Sequence, residues 1–137
     1  MEVIGKYFDL STQQKQQLKQ YAELLKERNQ VTNLVSRKDV ENVYVKHLLH
    51  SLAIAKIQPL PSGAQVLDVG SGGGLPGLPL AILFPKVRFH LVDATLKKVT
   101  AIHHFIEQLG LKNASAEQLR VEAYSASYDF IVSRAVT

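Results

Sequence analysis

A chain of 137 residues is long enough for one domain with a real core and too short for two. Hydrophobic residues make up 46% against 20% charged, and without cysteine neither a disulfide framework nor a thiolate zinc site can be built. The net charge of +4 lies mostly at the front, with nine Lys/Arg against six Asp/Glu in residues 1–60, which suits a solvated surface or a modest positive face towards RNA phosphates.

In chain order, MEVIGKYFDL is too polar for a secretory signal. No apolar run nears the roughly 18 residues of a membrane span, so a cytoplasmic protein without a membrane partner is expected. Ser11 and Gln14 stand at capping-box spacing, and Leu18, Tyr21, Ala22 and Leu25 follow on one helical face. Ser36 and Asp39 repeat the cap signal ahead of a stripe formed by Val40, Val43, Tyr44, Leu48, Ser51, Leu52 and Ala55. Residues 1–57 therefore read as two amphipathic helices and a connector. Pro59, Pro61, Ser62 and Gly63 mark a loop.

Beyond the loop the pattern changes. Val66–Val69 predicts a strand, Leu78–Phe84 a helix, Val87–Val92 a second strand, and Leu96–Leu109 a helix closed by Gly110. A weak strand near Ala114–Glu117 and a stronger one over Tyr128–Val132 complete the series. Strands alternating with helices at this spacing indicate a parallel sheet flanked by helices. The last strand runs nearly to Thr137, so further strands are expected in a longer parent chain. The domain reading is an N-terminal helical segment, residues 1–60, packing on the sheet, followed by a Rossmann-like domain over 61–137, incomplete at its C-terminus.

The informative segment is Val66-Leu67-Asp68-Val69-Gly70-Ser71-Gly72-Gly73-Gly74-Leu75-Pro76-Gly77. A strand entering a turn without side-chain bulk, with a helix behind it, brings backbone close to a ligand. Gly72, Gly74 and Gly77 match the dinucleotide spacing G-x-G-x-x-G, but Pro76 sits inside it. Asp68, at the strand end, is expected to aim its carboxylate at the ligand cleft. There it would repel a pyrophosphate and favour the sulfonium and ammonium of S-adenosylmethionine. Asp93 lies 23 residues after Gly70. An acid at that distance accepts hydrogen bonds from ribose hydroxyls, and it can also cap the helix starting near Leu96.

With these residues in view, the chain resembles the family of ribosomal RNA small subunit methyltransferase G, the glucose-inhibited division protein B family. The resemblance runs through Asn29, Asn33-Leu34, His47-Leu48-Leu49-His50-Ser51-Leu52, the glycine segment with its Leu-Pro-Gly, Asp93, Lys97-Lys98, Arg120-Val121-Glu122 and Ser133-Arg134-Ala135-Val136. It implies a class I S-adenosylmethionine-dependent methyltransferase fold, Rossmann-like, with two N-terminal helices. The activity implied is methylation of a guanine N7 in 16S ribosomal RNA, free or within the assembling small subunit, by a full-length protein favoured to be a monomer. Carried over by position, the donor-binding residues are Gly70, Leu75, Val121, Glu122 and Arg134, beside Asp68, Gly72 and Asp93 from the turn argument. The chain departs from the family pattern in having Arg28 where Trp is usual before the asparagine, and in stopping three residues after Arg134.

Guanine N7 carries a free lone pair and needs no deprotonation before it attacks a methyl group, so no general base is expected. Arg134 is the candidate positioning residue, able to hold the donor's carboxylate, an RNA phosphate or guanine O6, or to make a surface ion pair. Lys97 and Lys98 face either RNA or solvent. None of the five histidines has an acid or cysteine at metal-site spacing, so no metal is expected. Three rivals stay open: a methyltransferase of another substrate, a nicotinamide oxidoreductase, and a donor-binding module without turnover.

Overall fold

The computed structural model describes residues 2–32, 34, 35, 42, 44–119 and 127–133. Four strands, β1 (Gln65–Val69), β2 (Arg88–Asp93), β3 (Ala114–Gln118) and β4 (Phe130–Val132), form a parallel sheet in the order β3-β2-β1-β4. Leu67 lies opposite His90 on one side and Ile131 on the other, and Asp68 opposite Leu91 and Val132. From β1 the chain steps outwards to β2 and β3, then returns to pair β4 on the far side of β1. That reversal is a topological switch point, where open parallel sheets hold ligands beyond their carboxyl ends.

The helices are α1 (Glu2–Gly5), α2 (Thr12–Asn29), a π turn α3 (Tyr44–Leu49), α4 (His50–Leu52), α5 (Ile54–Ile57), α6 (Gly77–Leu83) and α7 (Leu96–Leu109). The expected capping box is formed: Gln14 N–H donates to Ser11 Oγ at 3.1 Å, and Ser11 N–H to Gln14 Oε1 at 2.9 Å. Leu18, Tyr21, Ala22 and Leu25 are buried as their spacing predicts. They share one core with Leu78, Leu80, Phe89, Leu91, Ile102 and Phe105. Tyr21 meets Phe105 edge to face at 5.7 Å.

The polar side of α2 contributes as much to its placement. Gln14 Nε2 donates to the carbonyls of Ile82 and Leu83, Gln17 Nε2 to Leu109, and Gln20 Nε2 to Gln108. These are last-turn carbonyls of α6 and α7, which have no partner within their own helices. α2 is therefore fastened across the C-terminal ends of the two helices that cover the sheet. Because Gln14 serves both its own cap and α6, Gln14→Ala is expected to cost about 1–2 kcal/mol in urea unfolding, more than the ~1 kcal/mol of Ser11→Ala. Equal losses would mean that the contact with α6 contributes nothing.

One expectation needs correcting. The sequence stripe predicts a single continuous second helix, but the described part is a π turn followed by two short helices separated at Ala53. A π turn takes extra residues per turn and shifts the buried face. Leu48, Ser51 and Leu52 are buried, Ile54 and Ala55 pack half-buried against the core, and Lys56 and Ile57 are exposed, so the segment leaves the core after Ala55. The cap signals Ser36 and Asp39, with Val40 and Val43, lie outside the described residues. Among the described residues no helix is long and apolar enough to cross a membrane.

Candidate cofactor site

The glycine turn leaves the carboxyl end of β1 beside that of β2, at the switch point. Its bare backbone is folded by hydrogen bonds to itself and to β2. Gly70 and Ser71 N–H both donate to the Val92 carbonyl, at 2.9 and 3.2 Å. Gly74 and Leu75 N–H return to the Ser71 carbonyl, and Leu78 N–H to Gly74. Gly72 N–H donates to Asp93 Oδ2 at 3.1 Å, and Gly77 N–H, the first amide of α6, to Asp68 Oδ2 at 2.8 Å. Gly70 and Gly72 have φ of 69° and 56°, a left-handed backbone that side chains rarely tolerate.

These bonds bear on the choice of ligand. A pyrophosphate bound at a glycine turn takes its hydrogen bonds from free turn amides and from the helix N-terminus. Here the amides of Gly70, Ser71, Gly72, Gly74, Leu75 and Gly77 are already engaged by Val92, Ser71, Asp93 and Asp68. The turn offers shape rather than donors, which suits a ligand without phosphate. A Cβ on Gly72 would meet only the Leu34 carbonyl, at 3.7 Å, so that position keeps open space beside half-exposed backbone.

Asp93 supplies the complementary group. It is 8% exposed at the end of β2, with Oδ2 held by Gly72 N–H and Oδ1 accepting Thr95 N–H at 2.9 Å. A carboxylate has about four acceptor sites, so the two backbone bonds fix its orientation and leave capacity for a pair of hydroxyls. It also braces the chain entering α7 through Thr95 N–H, but the N-cap of that helix is Thr95 itself, so Asp93 does not cap it as the sequence allowed. Leu96 follows at the start of α7, 60% exposed, an apolar surface of the kind a purine ring covers. The ribose diol and adenine of S-adenosylmethionine fit this set of groups.

Asp68 does not stand where the sequence argument expects it. Its residue is fully buried, and its carboxylate turns under α6 to take the Gly77 amide instead of facing the cleft. Gly77 makes this possible, since a Cβ there would lie 2.6 Å from Asp68 Oδ2. Asp68 thus shapes the turn, with Ser71 Oγ bound to its carbonyl at 3.0 Å, and it occupies an amide an anionic ligand would need. The preference against a pyrophosphate survives for a different physical reason. Leu75 is 2% exposed in the core and its N–H is bonded to the Ser71 carbonyl, so it anchors the turn.

Gly70, Gly72 and Asp93 come together at one sheet edge. Val121, Glu122 and Arg134 lie outside the described residues. Lys97 is exposed and Lys98 half-buried at the start of α7. His47 is buried, His50 and His103 are exposed and His104 is half-buried. Among the described residues no group of three His, Cys, Asp or Glu could hold a metal ion. Sequence reasoning missed Tyr21, whose O–H donates to the Gly73 carbonyl at 2.6 Å and pins the turn from α2. The signal was present: a buried tyrosine on an aliphatic stripe needs a partner for its hydroxyl.

Comparison with known proteins bears on the fold and the family. The family model for rRNA small subunit methyltransferase G matches residues 14–137. Ribosomal RNA small subunit methyltransferase G of Flavobacterium psychrophilum is 53% identical over 138 residues, covering 100% of this chain and 66% of the relative. The Flavobacterium johnsoniae protein of the same name is 49% identical with the same coverage. The chain thus spans just under two thirds of the length of these curated relatives. Among solved structures, coclaurine N-methyltransferase bound to N-methylheliamine and SAH superposes with a TM-score of 0.63 at 13% identity, over 96% of this chain and 45% of that one. At that identity the likeness concerns the fold alone.

Proposed function

The chain belongs to the rRNA small subunit methyltransferase G family, and on that premise we propose that it binds S-adenosylmethionine and directs its methyl group to the N7 of a guanine in 16S ribosomal RNA. The observation that carries the donor half is the glycine turn, with the amides of Gly70, Ser71, Gly72 and Gly77 bonded within the protein, beside the braced carboxylate of Asp93. The acceptor half rests on the family and on the chemistry of guanine.

When bound, S-adenosylmethionine supplies a methyl group on a positively charged sulfur. Asp93 holds the ribose, the bare backbone of Gly70 and Gly72 lets the ligand approach the end of β1, and the Leu75 side chain keeps the turn fixed in the core. Val121 and Glu122 are assigned to the adenine and Arg134 to positioning of the donor carboxylate or the RNA. Guanine N7 presents a lone pair on the major-groove edge and carries no proton to remove. The protein's task is to hold the reactants in line, and positioning of that kind supplies roughly 7–11 kcal/mol in favourable cases. The N-terminal segment, residues 1–60, with its excess of Lys and Arg, is assigned to the RNA side, and residues 61–137 to the donor. The site of action is the cytoplasm, where the small subunit assembles.

The test is transfer of tritiated methyl groups from S-adenosylmethionine to 16S RNA, naked and within the small subunit, both prepared without the modification. The expected result is label in one guanosine that becomes sensitive to aniline scission after reduction, the signature of N7 methylation. Label in another nucleoside would overturn the N7 assignment. No transfer to either substrate by a protein that binds the donor would overturn the RNA assignment.

A further inference from the structure

Asn29 ends α2 and is 9% exposed. Its carboxamide oxygen accepts two backbone donors, Leu34 N–H at 2.8 Å and Val35 N–H at 2.9 Å. This double acceptance draws the chain back from the end of α2 onto the glycine turn. The Leu34 carbonyl oxygen lies 3.7 Å from the place a Cβ on Gly72 would take, and Leu34 Cβ 3.3 Å from the corresponding place at Gly73. Leu25 Cδ1 closes on Gly73 to 2.9 Å by the same measure, and the Tyr21 hydroxyl holds the Gly73 carbonyl. Gly73 is buried under these groups while Gly72, next to it, stays half-exposed. The Leu34–Val35 backbone is therefore a lip on the turn, set in place by one side chain.

The geometry points to Asn29 as a positioning residue for cofactor binding: through Leu34 and Val35 it sets the wall beside Gly72, and it couples the end of α2 to occupancy of the donor site. The inference rests on the donor reading above and extends it to residues outside the sheet domain. The requirement is for a double acceptor. Asparagine and aspartate supply one at the same position, and alanine supplies none. Coupling of this kind is reciprocal, so a ligand that prefers the ordered turn must also tighten the lip.

The test is calorimetric titration of the whole chain with S-adenosylhomocysteine, accompanied by amide hydrogen exchange. In the unaltered chain the ligand is expected to slow exchange at Leu34 and Val35 severalfold. Asn29→Ala is expected to bind about tenfold more weakly, the scale of one well-placed hydrogen-bonding group, and to lose that protection. Asn29→Asp is expected to stay within about threefold of the unaltered chain, because it restores the acceptor. Asn29→Ala binding as tightly as the unaltered chain would overturn the inference, as would Asn29→Asp failing as badly as Asn29→Ala. Should the alanine variant not fold, exchange in the unaltered chain decides, and Leu34 and Val35 amides indifferent to ligand overturn the inference. No binding by the unaltered chain would bring down the donor reading itself, an outcome distinct from binding that ignores Asn29.

Discussion

Replacing Asp93 with alanine is expected to weaken S-adenosylmethionine binding about 100-fold and to leave the chain folded. Hydrogen bonds to a charged group contribute about 1.5–3 kcal/mol each, and two ribose hydroxyls on one carboxylate therefore account for roughly 3 kcal/mol at the low end. The backbone groups released by the substitution lie near solvent: Thr95 is exposed and Gly72 half-exposed, so water can replace the carboxylate at both. The stability cost should accordingly stay near 1 kcal/mol. Asp93→Asn, which keeps an acceptor oxygen and loses the charge, should fall between the two. Calorimetry measures the affinities and urea unfolding the stability. A loss of less than about fivefold in the alanine variant, smaller than a single charged hydrogen bond, would detach Asp93 from the ribose.

Gly77→Ala is expected to have the opposite profile, with its main effect on folding. The added Cβ would sit 2.6 Å from Asp68 Oδ2 and 2.9 Å from Leu91 Cγ and Cδ2. Both neighbours are fully buried, so neither has free space to move into. Overpacking in a filled core costs about 1–3 kcal/mol. Displacing the buried bond between Gly77 N–H and Asp68 adds about 1–3 kcal/mol more. A sum of about 2–6 kcal/mol is a large part of a typical domain stability of about 5–15 kcal/mol. The urea midpoint should fall steeply with little change in slope. Gly5→Ala is the matched control, since nothing lies within 4 Å of a Cβ there, and it should be almost silent. Equal midpoints for the two variants would mean that α6 does not rest on Asp68 as described.

The sheet domain was legible because its signals are local. β-branched and aromatic runs gave β1 and β2 within a residue or two at each end, and Gly110 closes α7 as expected, in a left-handed conformation. The Ser11–Gln14 spacing foretold a real capping box, since that motif involves only four consecutive residues. The N-terminal half was harder, because its structure depends on what it touches. Gln17 and Gln20 gave no signal in the sequence and Gln14 only its cap; their bonds to α6 and α7 appear only once the ends of those helices lie beneath them. The π turn that breaks the second helix has no periodic signature of its own.

Within the site, Asp93 was singled out by its distance from the turn and does stand against Gly72, whereas Asp68 was placed in the wrong direction. A strand residue near a cleft can face either side, and in a doubly covered parallel strand hydrophobic alternation does not decide which. The missing clue was Gly77, nine residues on, whose lack of a side chain opens room for the carboxylate beneath α6. The turn amides show the same limit. Glycine spacing is nearly identical in turns that bind phosphate and turns that do not, and the difference lies in whether the Val92 carbonyl, Asp93 and Asp68 have already taken the donors.

A turn whose amides are already bonded should accept a phosphate-free methyl donor and refuse a dinucleotide. Parallel calorimetric titrations of the folded chain with S-adenosylmethionine and with a nicotinamide dinucleotide test it most directly. The expected result is saturable one-to-one binding of S-adenosylmethionine and no measurable binding of the dinucleotide at the same concentrations. Binding of the dinucleotide with none of S-adenosylmethionine would contradict it, because it would require the amides of Gly70, Ser71, Gly72 and Gly77 to leave the partners that hold them.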